Sequence, residues 1–419
     1  MGLSSVFYSA ISGLQSNSQA LTVTGNNISN SSTIGFKSSS TVFSDLLSSE
    51  IASSSGNSQV GMGAQIQTVY TNYSQGGFES SSSSTDLAIQ GSGFFIVSDQ
   101  ADATQLYTRN GSFSFDDEGY LVNADGYRVQ GSSYNADGLL VGGNLGDIQV
   151  DQVTQLGAKQ TENVTLQTNL DSNSDILAAF DIADVEDTSN YSATSTIYDS
   201  LGTAHLVTSY FSKTADQIWD WNLTVDSNDL LAGGVNDLTV LATGTLTFDA
   251  DGNLTSGGTA TTPSLVWANG SDTNQTITYT FETTQFDTDS TIFAQSQDGY
   301  TAGEVTSVDI DDDGTVSAVY SNGETISVGM IALATFTNLD GLNSVGNSLF
   351  EATSFSGNPI IGYPGGSQGT LVTQALELSN VDLSTEFVDL ITLQNAYSAN
   401  SKVITTANEM LQEVINIIR

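Results

Sequence analysis

The chain opens and closes on apolar residues that recur at every seventh position. Phe7, Leu14, Leu21 and Ile28 make the first series, with Leu3 and Ala10 at the intermediate position that Asn17 and Thr24 then take over. Spacings of three and four put these side chains on one helical stripe. Roughly 28 residues at 1.5 Å each predict a helix of about 42 Å. The closing series is longer: Leu376, Leu383, Leu390, Tyr397, Ile404, Leu411 and Ile418, accompanied by Phe387, Leu393, Ala407, Val414 and Ile415. It predicts about six heptads, or roughly 63 Å of helix. Its apolar face is wider than a two-stranded coiled coil covers, so contact with more than one neighbouring helix is expected. Gln394, Asn400, Ser401 and Asn408 lie near the seam, where polar groups weaken packing but set register.

Between the two ends the pattern changes to that of strands. Phe94-Phe95-Ile96-Val97 is a short apolar run beside Gly91 and Gly93. Phe113-Ser114-Phe115 and Tyr120-Leu121-Val122 flank Asp116-Asp117-Glu118-Gly119, a hairpin with a glycine turn. Leu246-Thr247-Phe248 before Asp251-Gly252, and Val316 to Tyr320 before Asn322-Gly323, repeat that unit. Short strands at this spacing predict antiparallel sandwiches or barrels. Serine runs at 38–40, 53–55 and 80–84, and a glycine-rich segment at 357–369, read as flexible or extended connections. The expected fold is mostly β with helical termini, the two terminal helices paired in a coiled-coil-like domain and two antiparallel β barrel or sandwich domains inserted between them. The expected boundaries are 1–75 with 371–419 for the helical domain and its linker, 76–150 with 301–370 for an inner β domain, and 151–300 for an outer one.

Composition narrows the function. The 419 residues carry 47 acids against seven bases, a formal net charge of -40. Of these, 38 acids and four bases lie in residues 86–370, so the middle carries the charge and the ends are nearly neutral. A surface of this sign repels phosphates, which argues against nucleic acid and against anionic membranes. There is no cysteine and a single histidine, His205, which excludes disulfides, cysteine-ligated metals and clustered histidine sites. No run of about 18 apolar residues predicts a membrane-spanning helix. The first residues lack the basic segment of a secretory signal, so export by a route that cleaves no such signal is expected.

No cofactor or metal is expected, and no residue is nominated for catalysis. The segment 309–314, with Asp309, Asp311, Asp313 and Gly314, resembles the start of a calcium loop, but Tyr320 stands where the bidentate glutamate belongs. A β-turn between Val308 or Ile310 and Val316 explains the same residues. His205, in an apparent strand, has no catalytic partner by spacing and reads as structural or surface. Trp219 and Trp221 share one face of a strand and read as sheet core rather than a carbohydrate platform. Among 47 acids, any pair would match a glycosidase by chance.

Three blocks carry a family resemblance. The first reads Ser12-Gly13-Leu14, then Thr24-Gly25-Asn26-Asn27-Ile28-Ser29-Asn30 and Thr33-Ile34-Gly35-Phe36-Lys37. The second holds Asp86-Leu87-Ala88-Ile89-Gln90-Gly91, Gly93-Phe94-Phe95 and Tyr107-Thr108-Arg109-Asn110-Gly111. The third reads Leu376-Glu377-Leu378-Ser379-Asn380-Val381-Asp382-Leu383 and continues through Gln394 to Lys402. Together they resemble the flagellar axial proteins, the rod and hook family. The large central insertion is similar to the hook branch, with the distal rod as the alternative. A secreted surface adhesin is the alternative from another class.

The resemblance implies a non-enzymatic subunit, secreted and extracellular, of which many copies stack into a curved, flexible tube. In the family that tube is attached to the basal body, transmits motor torque and encloses an export channel. It implies a homo-oligomer whose partners are distal rod, hook cap and hook–filament junction proteins. Self-assembly is expected to rest on Phe7, Leu14, Leu21, Ile28, Leu376, Leu383, Phe387, Leu390, Tyr397, Ile404, Leu411 and Ile418. Asn26, Asn27, Gly35 and Phe36 are expected to form the family's turn after the first helix.

Overall fold

The computed structural model of the chain describes residues 3–53, 56–100, 104–135, 139–141, 145–150, 155–232, 237–366 and 368–418. It divides into two compact units. One comprises Met1–Asp151, Val308–Ala318 and Ile326–Arg419, and the other Gln152–Ser307 and Val319–Thr325.

In the first unit the N-terminal helix spans Leu3–Ser29 and the C-terminal helix Leu383–Ile418. The second of these starts later than the heptad series does. Leu376 lies in a strand, Ala375–Glu377, paired antiparallel with Phe78–Ser80. The strand before it, Thr370–Thr373, pairs with Leu87–Gln90. Asp382 sets the helix start: its Oδ1 accepts the Ser384 N–H at 2.8 Å and the Thr385 N–H at 3.3 Å, as an N-cap does. Thirty-six residues make about 54 Å of helix. Leu376 therefore keeps the heptad spacing by coincidence with a β pairing.

The serine run at 38–40 also differs from expectation. It opens a strand, Ser39–Asp45, that pairs with Ala64–Thr71 to form a two-stranded ribbon. Ser80 closes the strand Phe78–Ser80. Of the run at 53–55, Ser53 ends a short strand while Ser54 and Ser55 lie outside the described residues.

The β body of this unit is a curled sheet of thirteen strands, and Phe94–Ser98 lies inside it, buried throughout. Aromatic rings fill its core edge to face, as the ring quadrupole favours: Phe95 on Phe113 at 5.1 Å, Tyr107 on Phe336 at 4.8 Å, and Phe94 on Phe350 at 5.8 Å. The hairpin turn at 116–119 forms as its sequence predicts. Asp116 Oδ1 accepts the N–H groups of Glu118 and Tyr120, and Gly119 supplies the left-handed residue (φ 81°). At 309–314 the turn also forms, with the Gly314 N–H donating to the Asp311 carbonyl and Val316 buried beyond it. Among the described residues no group of three or more His, Cys, Asp or Glu side chains is placed to hold a metal ion.

The second unit holds a five-stranded meander (Tyr191–Tyr198, Ala204–Ala215, Ile218–Asp226, Leu238–Phe248 and Leu254–Ser256) and a four-stranded sheet. One pair in the latter, Asn163–Asp171 with Thr278–Phe286, is parallel, a departure from the antiparallel expectation. Trp219 and Trp221 are buried in the core with Phe211, Tyr279 and Phe281. His205 is buried too, its ring stacked on Trp267 at 3.8 Å. Its Nδ1 lies 3.0 Å from Asp229 Oδ2 and its Nε2 3.3 Å from Asp199 Oδ2. Burial opposes ionisation of Asp199, but hydrogen bonds from Asn269, the Thr203 N–H, His205 and the Leu201 N–H outweigh it and hold the carboxyl below its ordinary value. This histidine is a structural cross-brace.

Candidate functional site: the helical pair and its buried root

The terminal helices pack antiparallel. Asn27 Nδ2 donates to Glu386 Oε1 at 2.9 Å, and fourteen residues along each helix Gly13 meets Asn400, where a Cβ on Gly13 would sit 2.8 Å from the Asn400 amide nitrogen. Leu390, Leu393, Asn400, Ile404, Ala407 and Leu411 line the seam, with Ala407 fully buried. On the N-terminal helix Phe7, Leu14, Leu21 and Ile28 are half-buried, at one border of the contact. The fully buried positions are small or polar: Ala10, Ser16, Ala20, Thr24 and Asn27. Small side chains are needed there because the ribbon lies close against that face. Ser16 Oγ donates to the Ala64 carbonyl at 3.1 Å, and Ser12 Oγ accepts the Ala64 N–H at 3.3 Å.

Part of the C-terminal helix's apolar surface faces away from this seam. Leu383, Phe387 and Ile391 are exposed, as are Val403, Met410, Val414 and Ile417. At about 100° per residue the first three lie roughly 80–160° to one side of the seam, and the other four roughly 60–120° to the opposite side. The flanks trade character along the helix. Where the first flank continues toward the C-terminus it carries Ser401, Thr405, Glu409 and Gln412, and the second flank begins with Thr385, Asp389 and Thr392. Val388 and Ile415, exposed as well, lie outside these two arcs. Tyr397 is exposed at the seam's edge, and the side chain of Ile418 lies outside the described residues.

Asn26 and Asn27 are helical, which corrects the expectation that they form the turn; the turn runs through 30–36. Asn27 works as a brace. Its amide donates to the Ser39 carbonyl at 2.7 Å and its oxygen accepts the Ser39 N–H at 2.9 Å, so one side chain joins helix, ribbon and Glu386. Gly35 is in the turn with φ 67°, and a Cβ there would lie 2.6 Å from the Asn110 nitrogen. Only glycine fits both the backbone angle and that approach.

Beneath the turn the three motif blocks meet at one carboxylate. Glu377, fully buried, accepts Lys37 Nζ at 2.6 Å and the Gly76 N–H at 2.9 Å on Oε1, and Arg109 Nη1 at 3.2 Å on Oε2. Its backbone carbonyl accepts the Gly35 N–H at 2.7 Å. Lys37 donates also to the Ser74 carbonyl, and Arg109 to the Gly91 carbonyl at 2.8 Å. Burial pushes the Lys37 ammonium and the Arg109 guanidinium below their ordinary values, and Glu377 pulls both back. Asn380 completes the knot, accepting the Ser38 N–H and donating to the Asn72 carbonyl, both at 2.7 Å.

Heptad spacing could not find this knot. A signal was present in the composition: Lys37 is the single base in the first 85 residues, and a lone lysine in a neutral, serine-rich stretch is a candidate for pairing.

Glu386 has a measurable signature. Burial first, and the neighbouring Asp389 charge in addition, raise its carboxyl above the ordinary 4.5, against the Asn27 hydrogen bond. The folded state then binds the proton more tightly than the unfolded one. Stability from this group is full below the ordinary value and is lost as pH rises through the raised one. Glu386→Gln keeps an acceptor for Asn27 and is expected to abolish that decline. Thermal midpoints of the two proteins, compared from acidic to neutral pH, should diverge in the variant's favour.

Four family profiles match the chain in order: flagella basal body rod protein over 7–37, flagellar hook protein FlgE/F/G D1 domain over 88–169, flagellar basal body protein FlaE D2 domain over 169–300, and flagellar basal body rod FlgEFG protein C-terminal over 372–417. Flagellar hook protein FlgE of Escherichia coli (strain K12) is 35% identical, covering 98% of this chain and 99% of that protein. Its counterpart in Borreliella burgdorferi is 34% identical, covering 98% of each. The crystal structure of Helicobacter pylori flagellar hook protein FlgE2 shares the fold, with a TM-score of 0.54 at 18% identity, over 71% of this chain and all of that one.

Proposed function

The chain belongs to the flagellar hook protein FlgE family, and from that premise we propose how its surfaces build the hook. It is a structural subunit of the hook, the part of the flagellum attached to the basal body, and it assembles as a polymer. Neighbouring copies cover the two open flanks of the C-terminal helix, one flank in each half, so that every copy touches helices on both sides. Such contacts are heterologous and propagate instead of closing, which is the requirement for a helical tube. The alternation of the apolar flank along the helix carries this assignment.

The rest of the role follows from the family. The polymer is an extracellular, curved, flexible tube that carries torque from motor to filament and encloses the export channel. Its ends join distal rod, hook cap and hook–filament junction proteins. The knot at Glu377 holds the helical pair to the β body, so load on one reaches the other within a single subunit. Negative-stain imaging of polymer grown from the purified chain is expected to give curved tubes. Straight, stiff shafts would support the rod branch instead, and failure to polymerise at any concentration would overturn the assignment of the flanks.

A further inference from the structure

Three successive residues at one hairpin tip hold left-handed backbone: Gly346 (φ 96°), Asn347 (φ 50°) and Ser348 (φ 58°). The hairpin joins Asn343–Gly346 to Leu349–Glu351 in the first unit. A two-residue turn with both central φ values positive favours Asn followed by Gly. Serine in the second place carries a Cβ against the backbone that glycine would not. Something must therefore hold Ser348 in a conformation it disfavours.

Its neighbours supply the answer. Thr108 Oγ1 donates to the Ser348 carbonyl at 2.9 Å and accepts the Asn110 N–H at 3.0 Å. Asn347 Nδ2 donates to Asp125 Oδ1 at 2.9 Å. Ser348 Oγ reaches out of the hairpin and donates to the Ile34 carbonyl at 3.3 Å. Ile34 precedes Gly35, the residue lodged against Asn110 and bonded to the Glu377 carbonyl. A cavity of about 380 Å³ separates the two sides, lined by Asn30 and Thr33 on the turn and by Ser344 and Asn347 on the hairpin. The hairpin tip spans this gap.

We propose that the 346–348 tip is a clamp in which Ser348 is the positioning residue. It fixes the exit of the N-terminal helix to the β body, and the strained backbone is retained because the hydroxyl is needed. Glycine would suit the turn but has no side chain to reach Ile34. The clamp belongs to the lone subunit, so its test does not pass through polymerisation and its failure would leave the hook reading untouched.

Ser348 variants of the full chain separate the clamp from a simple turn. With Ser348→Gly the thermal midpoint is expected to hold or rise, while hydrogen exchange at the Gly35 and Phe36 amides quickens at least threefold. Ser348→Asn tolerates the left-handed region and still carries a donor, so it should keep those amides protected. Ser348→Ala should lose both midpoint and protection; the glycine variant carries the test if the alanine one does not fold. Unchanged or slower exchange at Gly35 and Phe36 in Ser348→Gly would overturn the clamp. So would a uniform rise in exchange across the unit with a falling midpoint, the mark of a residue that serves only its own turn.

Discussion

Glu377→Ala is expected to destabilise the first unit by about 3–5 kcal/mol, because it strands Lys37 and Arg109 as buried cations with no anion between them. The figure follows from asymmetry. A buried ion pair adds little over a well-packed apolar replacement, but removing one partner leaves the other's desolvation uncompensated. Here one carboxylate serves two cations and the Gly76 N–H, so three groups lose a partner at once. Its removal also spreads beyond the site. Residues 375–377 form a strand with 78–80, and the same segment anchors the 30–36 turn through the Gly35 N–H. Chemical denaturation of wild type and variant reads the total loss. The double variant Glu377→Ala with Lys37→Met should recover part of it, since coupled groups deviate from additivity by about 0.5–3 kcal/mol. Strict additivity would mean that the two charges are not paired in solution.

How far the sequence disclosed this architecture depends on the range of the interactions involved. Periodicity is local, so it found both terminal helices, the Phe94–Val97 strand and the glycine hairpin at 116–119. It also gave the excess breadth of the C-terminal apolar face, which the structure resolves into a seam and two open flanks. It misplaced Leu376 because a seven-residue spacing cannot distinguish one more helical turn from a strand; Asp382 as N-cap was the local sign that the helix begins later. It treated Ser38–Ser40 as a connection because serine says little about pairing, and the ribbon's partner lies some 30 residues away in sequence. The knot was beyond local reading altogether. Lys37 and Glu377 are 340 residues apart, and only the folded chain brings them together.

Burial on the N-terminal helix teaches the complementary lesson. The large residues at 7, 14, 21 and 28 carry the heptad pattern, yet Ala10, Ser16, Ala20, Thr24 and Asn27 are the buried positions. A helix enclosed on two sides by a ribbon and a second helix needs small and hydrogen-bonding side chains where backbones approach. Its bulky residues are displaced to the border, and Tyr8 and Ile11 are left open on the remaining face. The same division recurs on the C-terminal helix, where Ala407 is the most deeply covered position and Phe387 is only half covered by its own chain.

Phe387→Glu should therefore leave the monomer nearly as stable as wild type and raise the concentration needed for polymerisation by tenfold to a hundredfold or more. In the lone chain Phe387 is 51% exposed, and glutamate is a better helix former than phenylalanine, so the folded monomer loses little. In the polymer a neighbour covering this flank would bury the open half of the ring, worth roughly 0.8–1.5 kcal/mol, half the figure for a fully exposed side chain of this kind. Each 1.4 kcal/mol is tenfold in an association constant, and a charge buried under the neighbouring copy adds its own desolvation. Val414→Glu on the opposite flank should behave alike, at 46% exposure in the monomer. Thr405→Glu supplies the contrast, since it lies on Phe387's side of the helix but in the half where that side is polar. Sedimentation of polymer against free chain, with helix content and thermal midpoint measured on the monomer, distinguishes the three. If Thr405→Glu impaired growth as severely as Phe387→Glu, the flanks would not exchange roles along the helix, and the C-terminal helix would be covered evenly on all its open sides.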